Sequence, residues 1–334
     1  MVKELKKEMF DIKKAINAFV EQNNRMTHPL KTDFGFLKWL DEGRLVVIGG
    51  GSGLGKTAFV LQMLYELVRD NQDREDGVIG IFASAEMMIE ELTMRLIVNQ
   101  QVLDNLNMLN IRKAFNSRLT PVKKFEENIK KTEFILSDVP FYFLNASKFN
   151  LKDIIEMIKK TREKKPNKKI FVVIDYLQLL LSDATNLKEM NTVIKELKNC
   201  LIENKANAIV ISSINRDAIK NNYVDTNAFK DSSMIEYTTD IGILFTFKNE
   251  KGKYTLKMDK EKRNLNEIEF YAYCVKNRTG RLFSDQLIFN KLQQRFKINP
   301  IKVITQEEFK KQQNENEINR EKAADKKLTA FDVI

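Results

Sequence analysis

Residues 45 to 57 read Leu45-Val-Val-Ile-Gly-Gly-Gly-Ser-Gly-Leu-Gly-Lys-Thr57, an apolar, β-branched run that breaks into glycines and closes on Gly55-Lys56-Thr57. From Gly50 to Thr57 the spacing is G-x-x-x-x-G-K-T, and each part of it has a physical task. A buried strand delivers the chain to Gly50. The glycines let consecutive backbone N–H groups turn inward around an anion, and a helix starting near Lys56 aims the positive end of its dipole at the same point. Lys56 then neutralises phosphate charge and the Thr57 hydroxyl takes a Mg²⁺ position. Gly50, Gly51, Ser52, Gly53, Leu54, Gly55, Lys56 and Thr57 are therefore expected to cradle ATP with Mg²⁺. A merely flexible glycine loop would need neither the strand before it nor the helical pattern Phe59, Leu61, Met63, Leu64, Leu67, Val68 after it.

With 334 residues and 43% hydrophobic content, the chain can fill the core of one large α/β domain with appendages, or of two small domains. No run of about 18 uncharged apolar residues is present, so no membrane partner is expected. The start, Met1-Val-Lys-Glu-Leu-Lys-Lys-Glu8, carries acids and lacks the apolar centre of a signal peptide, which predicts a cytoplasmic protein. Two cysteines, Cys200 and Cys274, and one histidine, His28, leave no material for a disulfide framework, a zinc finger or a histidine-centred metal site. Chemistry here rests on carboxylates, lysine, arginine and Mg²⁺. The 56 Lys and Arg against 46 Asp and Glu give a net charge of +10, which favours a polyanionic partner beyond ATP, although many of these lysines simply solvate helix faces.

Residues 3 to 25 show the spacing of an amphipathic helix, with Leu5, Met9, Ile12, Ile16 and Phe19 on one seam. That seam faces either its own domain or a neighbour. A loop with Thr27-His28-Pro29 follows, and the organisation predicted is a linker helix at 1–28, one domain at 29–300 and a charged tail at 301–334. Within the domain, strand patterns at 45–49, 78–83, 141–144, 170–175 and 208–213 alternate with helical patterns at 56–69, 87–101, 151–164 and 189–203, the rhythm of a mostly parallel sheet flanked by helices. After residue 240 apolar runs at 241–247, 269–276 and 286–290 suggest a strand-rich close, and the charged stretch 249–267 a protruding hairpin or loop. Residues 305 to 329 are nearly all polar, a solvated helix or disorder.

A phosphate loop needs a second acid for Mg²⁺ at the end of a neighbouring buried strand. Ile170-Phe-Val-Val-Ile-Asp175 places Asp175 there. Water also needs a base, sought at the end of the strand after the first helix. Ile79-Gly-Ile-Phe-Ala-Ser-Ala-Glu86 ends at Glu86, which by position alone also fits a helix N-terminal charge.

Its context decides between these. Ser84-Ala-Glu-Met87 and the following Glu90-Glu-Leu-Thr-Met-Arg-Leu96 resemble the Ser-Leu-Glu-Met and helix of the DnaB-type replicative helicases, a hexameric RecA-like ATPase family. Asp175-Tyr-Leu-Gln-Leu179 is similar to that family's Walker B sequence, Ser212-Ser-Ile-Asn-Arg216 to its Ser-Gln-Leu-Asn-Arg, and Lys276-Asn-Arg278 to its Lys-Gln-Arg. The correspondence runs from about Thr32 to Lys297, with the motifs in the family's order. It implies a homo-oligomer, a hexameric ring, in which Glu86 activates water, Asp175 and Thr57 act on Mg²⁺, and Lys276 and Arg278 reach a neighbour's ATP as the arginine-finger equivalent.

The resemblance further implies an α/β fold with a RecA-like P-loop core, ATP-dependent unwinding of DNA during replication, and a helicase loader or primase as additional partner. Only about 28 residues precede the domain, so the family's N-terminal domain is expected to be missing, as in a phage or mobile-element version. What precedes it resembles the family's linker helix. Single-stranded DNA contacts are expected on loops after the Asp175 and Ser212 strands. Lys230-Asp-Ser-Ser233 occupies the position of the family's Arg-Glu-Ser-Gly loop, making Lys230, Asp231 and Ser233 the main candidates and Arg216 and Lys220 secondary ones. No aromatics interleave with these bases, so backbone tracking without sequence readout is expected. Ser213 stands where the family carries a glutamine that links the γ-phosphate to DNA, and its side chain is too short for that reach. This departure leaves open a second function, a RecA-like DNA-binding ATPase serving as loader, regulator or recombination factor without unwinding.

Overall fold

The computed structural model describes residues 29–144, 150–176, 187–230, 236–259 and 261–331, together with Ile12, Lys13, Ile16, Asn17 and Val20. Its strands in chain order are β1 (Leu45–Gly49), β2 (Val78–Ser84), β3 (Phe141–Leu144), β4 (Lys169–Asp175), β5 (Ala206–Ser212), β6 (Ile241–Lys248), β7 (Tyr254–Thr255), β8 (Glu267–Asn277), β9 (Phe283–Asn290) and β10 (Arg295–Val303). The helices are α1 (Lys56–Asn71), α2 (Ile89–Asn99), α3 (Ile111–Ala114), α4 (Val122–Leu136), α5 (Leu151–Lys164), α6 (Leu187–Glu203), α7 (Arg216–Asn221) and α8 (Gln306–Phe331).

β1 is buried along its length and lies between β5 and β6, parallel to both. An unbroken apolar run is what a strand covered on both faces requires. Across the described residues the sheet reads β10-β9-β8-β6-β1-β5-β4-β2-β3, parallel from β3 to β6 and antiparallel from β6 to β10, with β7 paired to β6. The expected mostly parallel sheet flanked by helices is thus present, and the strand-rich close extends it as an antiparallel wing.

Each face of the sheet carries its own core. On one, Phe59 of α1 meets the rings of Phe34, Phe245 and Phe296 edge-on at 5.1 to 5.3 Å, a geometry worth about 0.5 to 1.5 kcal/mol per pair beyond area burial. α1 lies so close to β2 that a Cβ at Gly80 would stand 2.7 Å from Val68, so only glycine fits there. On the other face α5 and α6 bury Ile154, Ile158 and Leu197. α5 begins at a capping box in which Asn150 accepts from Asp153 N–H and the Asp153 carboxylate accepts from Asn150 N–H.

Three differences from the sequence reading have local causes. β10 carries Pro300, which hides it from a strand pattern, and it is tolerated because β10 is an edge strand with a register shift between Asn299 and Lys302. It also carries the sheet past the expected boundary at 300. Gln62 of α1 holds β10 by accepting from Phe296 N–H at 2.8 Å and donating to its carbonyl at 3.0 Å. α4, unread in the sequence, buries only Asn128 and so leaves a weak apolar signal. Residues 305 to 329 are helical from Gln306 onward, and one face of that helix is docked, with Gln312 and Asn316 buried. The charged stretch 249–267 starts as the expected hairpin, with β7 turned back on β6 through Gly252 at φ +71°, but it is packed at Thr255 and Leu256, which are buried and bonded to Asn222. Ile12 and Ile16 of the predicted seam are helical and 77% and 53% exposed, whereas Leu5, Met9 and Phe19 lie outside the described residues.

Candidate active site

The loop from Gly50 to Gly55 joins the end of β1 to α1 and is pressed against an aromatic wall. A Cβ at Gly50 would come within 2.9 Å of Phe245 and one at Gly55 within 2.6 Å of the Phe289 ring. Gly53 and Gly55 also hold φ of +78° and +74°, the left-handed region where side chains are strained. Leu54 is buried and anchors the loop, leaving Ser52 and Gly53 exposed above it. This shape explains the glycine spacing by packing as well as by anion approach.

Lys56, the first residue of α1, turns its ammonium onto the carbonyls of Gly50 at 2.9 Å and Gly51 at 3.1 Å. Burial lowers its pKa, while Asp175 and Glu86 oppose that shift. Thr57 donates its hydroxyl to Asp175 Oδ2 at 2.8 Å. Asp175 ends β4 and is 1% exposed. Burial pushes its carboxyl up to about 6, with the charge of Glu86 adding to the rise and Thr57, Lys56 and Arg95 opposing it.

Glu86 reaches the same rim because β2 and β4 are neighbours in register, Ser84 opposite Asp175. The turn beyond β2 is held by Ala85 N–H donating to the Asp175 carbonyl at 2.8 Å and by Met87 N–H donating to the Ser84 hydroxyl at 3.1 Å. Glu86 is exposed at the cleft. The resulting cleft, about 520 Å³, brings together the loop, Lys56, Thr57, Glu86 and Asp175 with Arg95, Tyr176, Ser213 and Arg216. Thr57 and Asp175 are hard oxygen donors side by side, which suits Mg²⁺ shared with phosphates. Among the described residues no group of three or more His, Cys, Asp or Glu forms a metal cage of its own.

Arg95 was not singled out from the sequence. It follows Glu91 by one helical turn, which reads as a solvated ion pair on a helix face. In the structure its guanidinium donates to Glu91 at 3.1 Å and Gln294 at 2.6 Å while lining the cleft. The usable signal was its place nine residues after Glu86 on the same helix that leaves the active rim.

Lys276 and Arg278 lie elsewhere. β8 runs antiparallel to β6, so Lys276 sits opposite Gly242 and Asn277 opposite Ile241, while Gly242 and Ile241 are level with Val47 and Val46 of β1. These positions are at the strand ends remote from Gly50. Lys276 donates to the Glu236 carbonyl and Arg278 to the Tyr237 carbonyl at 2.5 Å.

Of the nucleic-acid candidates, Lys230 donates its N–H to the Ser213 carbonyl at 2.9 Å, tying it directly to the cleft wall. Arg216 is exposed and lines the cleft itself, and Lys220 is exposed on α7. Asp231 and Ser233 lie outside the described residues. Cys200 and Cys274 are both buried and free. Among the described residues no helix is long and apolar enough to cross a membrane.

A protein-family model described as DnaB-like helicase C terminal domain matches residues 33–298. Among curated proteins, the chain is 27% identical over 266 residues to a probable plasmid replicative DNA helicase of Chlamydia psittaci, covering 78% of this chain and 52% of that protein. It is 29% identical over 214 residues to the replicative DNA helicase DnaB of Mycoplasma pneumoniae, covering 61% and 42%. The chain thus spans about half the length of the curated relatives it matches. Among solved structures, an isolated ATPase domain superposes with a TM-score of 0.67 at 21% identity, covering 86% of this chain and 99% of that one. A DnaB-like replicative helicase solved with its interactions with primase gives 0.64 at 21% identity, covering 86% and 67%.

Proposed function

Because the chain belongs to the DnaB-like helicase C-terminal domain family, with that family's RecA-like fold, we propose that it is the motor of a ring-forming helicase that hydrolyses ATP, translocates on single-stranded DNA and unwinds duplex during replication. The observation that carries this reading is a division across the sheet. Lys56, Thr57, Glu86 and Asp175 share one rim, whereas Lys276 and Arg278 lie back along the strands from Gly50, by roughly 10 and 15 Å. A finger so placed serves a neighbour's ATP better than its own, which supports a homo-oligomer, the expected hexamer.

In this reading the loop N–H groups and Lys56 bind the phosphates, and Thr57 and Asp175 hold Mg²⁺, which when bound draws charge from the phosphate oxygens. Glu86 orients water and accepts its proton. Lys276 and Arg278 of the adjacent subunit stabilise charge on the transferring phosphoryl group, so turnover depends on assembly. Residues 1–28 join neighbours through the seam that includes Ile12 and Ile16, residues 29–300 are the motor and residues 301–334 its tail. Lys230, with Asp231 and Ser233 beside it and Arg216 and Lys220 nearby, contacts the DNA backbone. A helicase loader or primase completes the set of partners.

One observation favours the second reading, a DNA-binding ATPase that loads, regulates or recombines without unwinding. Ser213 lines the cleft with a side chain too short to carry a phosphate signal outward. Its backbone bond to Lys230 supplies another route, which favours the motor. A forked DNA substrate separates the two. The motor releases the labelled strand with ATP and fails to do so as Glu86→Gln, while DNA-stimulated hydrolysis without strand release would establish the second reading.

A further inference from the structure

Helix α8 begins beyond residues 33–298, the part matched by the family model, and after Phe309, which packs on the core, it docks through polar side chains. Among its described side chains the most buried is Asn316, 0% exposed, whose Oδ1 accepts Val224 N–H at 3.0 Å and whose Nδ2 donates to the Val224 carbonyl at 3.1 Å. A carboxamide offers a donor and an acceptor on one rigid plane, so it satisfies both backbone groups of one residue as a neighbouring strand would. One turn later Arg320 donates to Asp225 Oδ2 at 2.5 Å and lies over the Tyr223 ring, 5.6 Å from its centre. Asn319 adds a bond to the Asn222 carbonyl at 3.4 Å. At the other side of the helix Glu315 pairs with Lys253 of the β6–β7 hairpin.

The gripped residues Val224 and Asp225 link the end of α7, to which Tyr223 N–H bonds at Ala218, with a single 3-10 turn at Thr226–Ala228 capped by Asp225, and the segment leads straight to Lys230. From Val224 and Asp225 the chain returns beside the exit of β5, where Ala228 accepts from Asn215 N–H at 2.9 Å and Lys230 donates to Ser213 at 2.9 Å. Thr226 donates to Glu236 at 2.9 Å, closing the far foot of the same excursion.

We propose that α8 is a positioning brace for the DNA-contacting loop, with Asn316 and Arg320 as its positioning residues. The inference rests on the reading of Lys230 as a DNA contact. Without the two bonds from Asn316, the buried N–H and carbonyl of Val224 lose their partners and the segment opens to find water. DNA binding must then order what α8 keeps ordered, and affinity falls by that cost. The phosphate loop and its acids touch none of these groups, so nucleotide chemistry without DNA is unaffected.

The test uses the full chain as Asn316→Ala, Arg320→Ala, Arg320→Lys and, separately, Lys230→Glu. Readouts are binding of a fluorescent oligo-dT, ATPase with and without it, and hydrogen exchange over residues 222–230. Asn316→Ala and Arg320→Ala are expected to weaken oligo-dT binding roughly tenfold, raise the concentration for half-maximal ATPase stimulation equally and speed exchange. Their DNA-free kcat and KM for ATP should stay within about twofold, and Arg320→Lys, which keeps the charge, should recover most of the affinity. A role in general stability would instead lower all activities together with Tm. If Lys230→Glu weakens binding while Asn316→Ala and Arg320→Ala bind within twofold of the parent despite faster exchange, the brace is wrong and the loop reading stands. If Lys230→Glu leaves binding unchanged, the loop reading falls and takes the brace with it.

Discussion

Thr57 donates its hydroxyl to Asp175 Oδ2 across 2.8 Å, joining the first turn of α1 to the end of β4 over the intervening strand β5. Two residues 118 positions apart thereby place their oxygen atoms side by side at the cleft, where the proposed mechanism needs them for Mg²⁺. Burial raises the Asp175 carboxyl to about 6, so it takes up a proton as pH falls through that value and ceases to serve as an anionic ligand. ATPase activity should show an acid limb near pH 6 at low Mg²⁺. Because Mg²⁺ competes with the proton, the limb should move to lower pH as Mg²⁺ is raised. Asp175→Asn should lose roughly 100-fold or more in kcat at any pH, as read by phosphate release.

Lys56→Ala removes a charge from the cleft without touching the core of α1, so turnover should vanish while the circular dichroism spectrum and Tm stay near the parent's. Glu86→Gln should bind labelled ATP with parental affinity and hydrolyse it roughly 100-fold or more slowly. Near-parental turnover in Glu86→Gln would reduce Glu86 to a helix-terminal charge.

Arg95 is held over the cleft by Glu91 and Gln294, and its charge favours the ionised form of Asp175. Arg95→Ala should lower kcat/KM for ATP by roughly tenfold or more and shift the acid limb upward. Arg95→Lys, unable to hold both partners in one plane, should recover only part of this. Steady-state kinetics across pH give both quantities.

Mixing Lys56→Ala with Arg278→Ala subunits should restore activity at hybrid interfaces, where one partner brings an intact loop and the other an intact finger. Each variant alone should be nearly inactive. No recovery in mixtures that sedimentation shows to be co-assembled would remove Arg278 from the trans role.

Asp285 in β9 is 3% exposed, and its Oδ1 has no hydrogen-bond partner among the described residues. Desolvation raises its carboxyl from 3.8 to about 7. The folded chain therefore holds a proton that the unfolded chain releases, and the stability this contributes is complete below the unfolded pKa and lost as pH rises through the folded one. Asp285→Asn should be more stable than the parent at pH 8 by roughly 1 to 3 kcal/mol, with the difference shrinking toward pH 4. Urea unfolding of the two proteins at several pH values measures it.

The residues from Leu45 to Thr57 sufficed to place a strand, a phosphate loop and a helix, because local constraints do all the work there. An apolar run has to be covered, a left-handed backbone needs glycine, and a helix start offers free N–H groups. Asp175 was legible for the same reason, since it ends an apolar strand, whereas Glu86, two residues past the end of β2, needed the resemblance of Ser84-Ala-Glu-Met87 to tell it from a helix-terminal charge. The parallel strands themselves were read almost residue for residue, from hydrophobic continuity alone.

Their order was not legible, since β1 lies beside β5 and β6 and no local pattern encodes which strand a buried strand chooses. Only packing set Arg95 over the cleft, through a bond to Gln294 that is 199 residues distant. Only the antiparallel run of β8 carried Lys276 and Arg278 back along the sheet, away from the loop. The docking of α8 was hidden because beyond Phe309 it uses carboxamides and a guanidinium, whose contacts leave no apolar period in the sequence. Periodicity reports which surfaces must leave water. Which polar groups meet once they have left is decided by the assembled sheet.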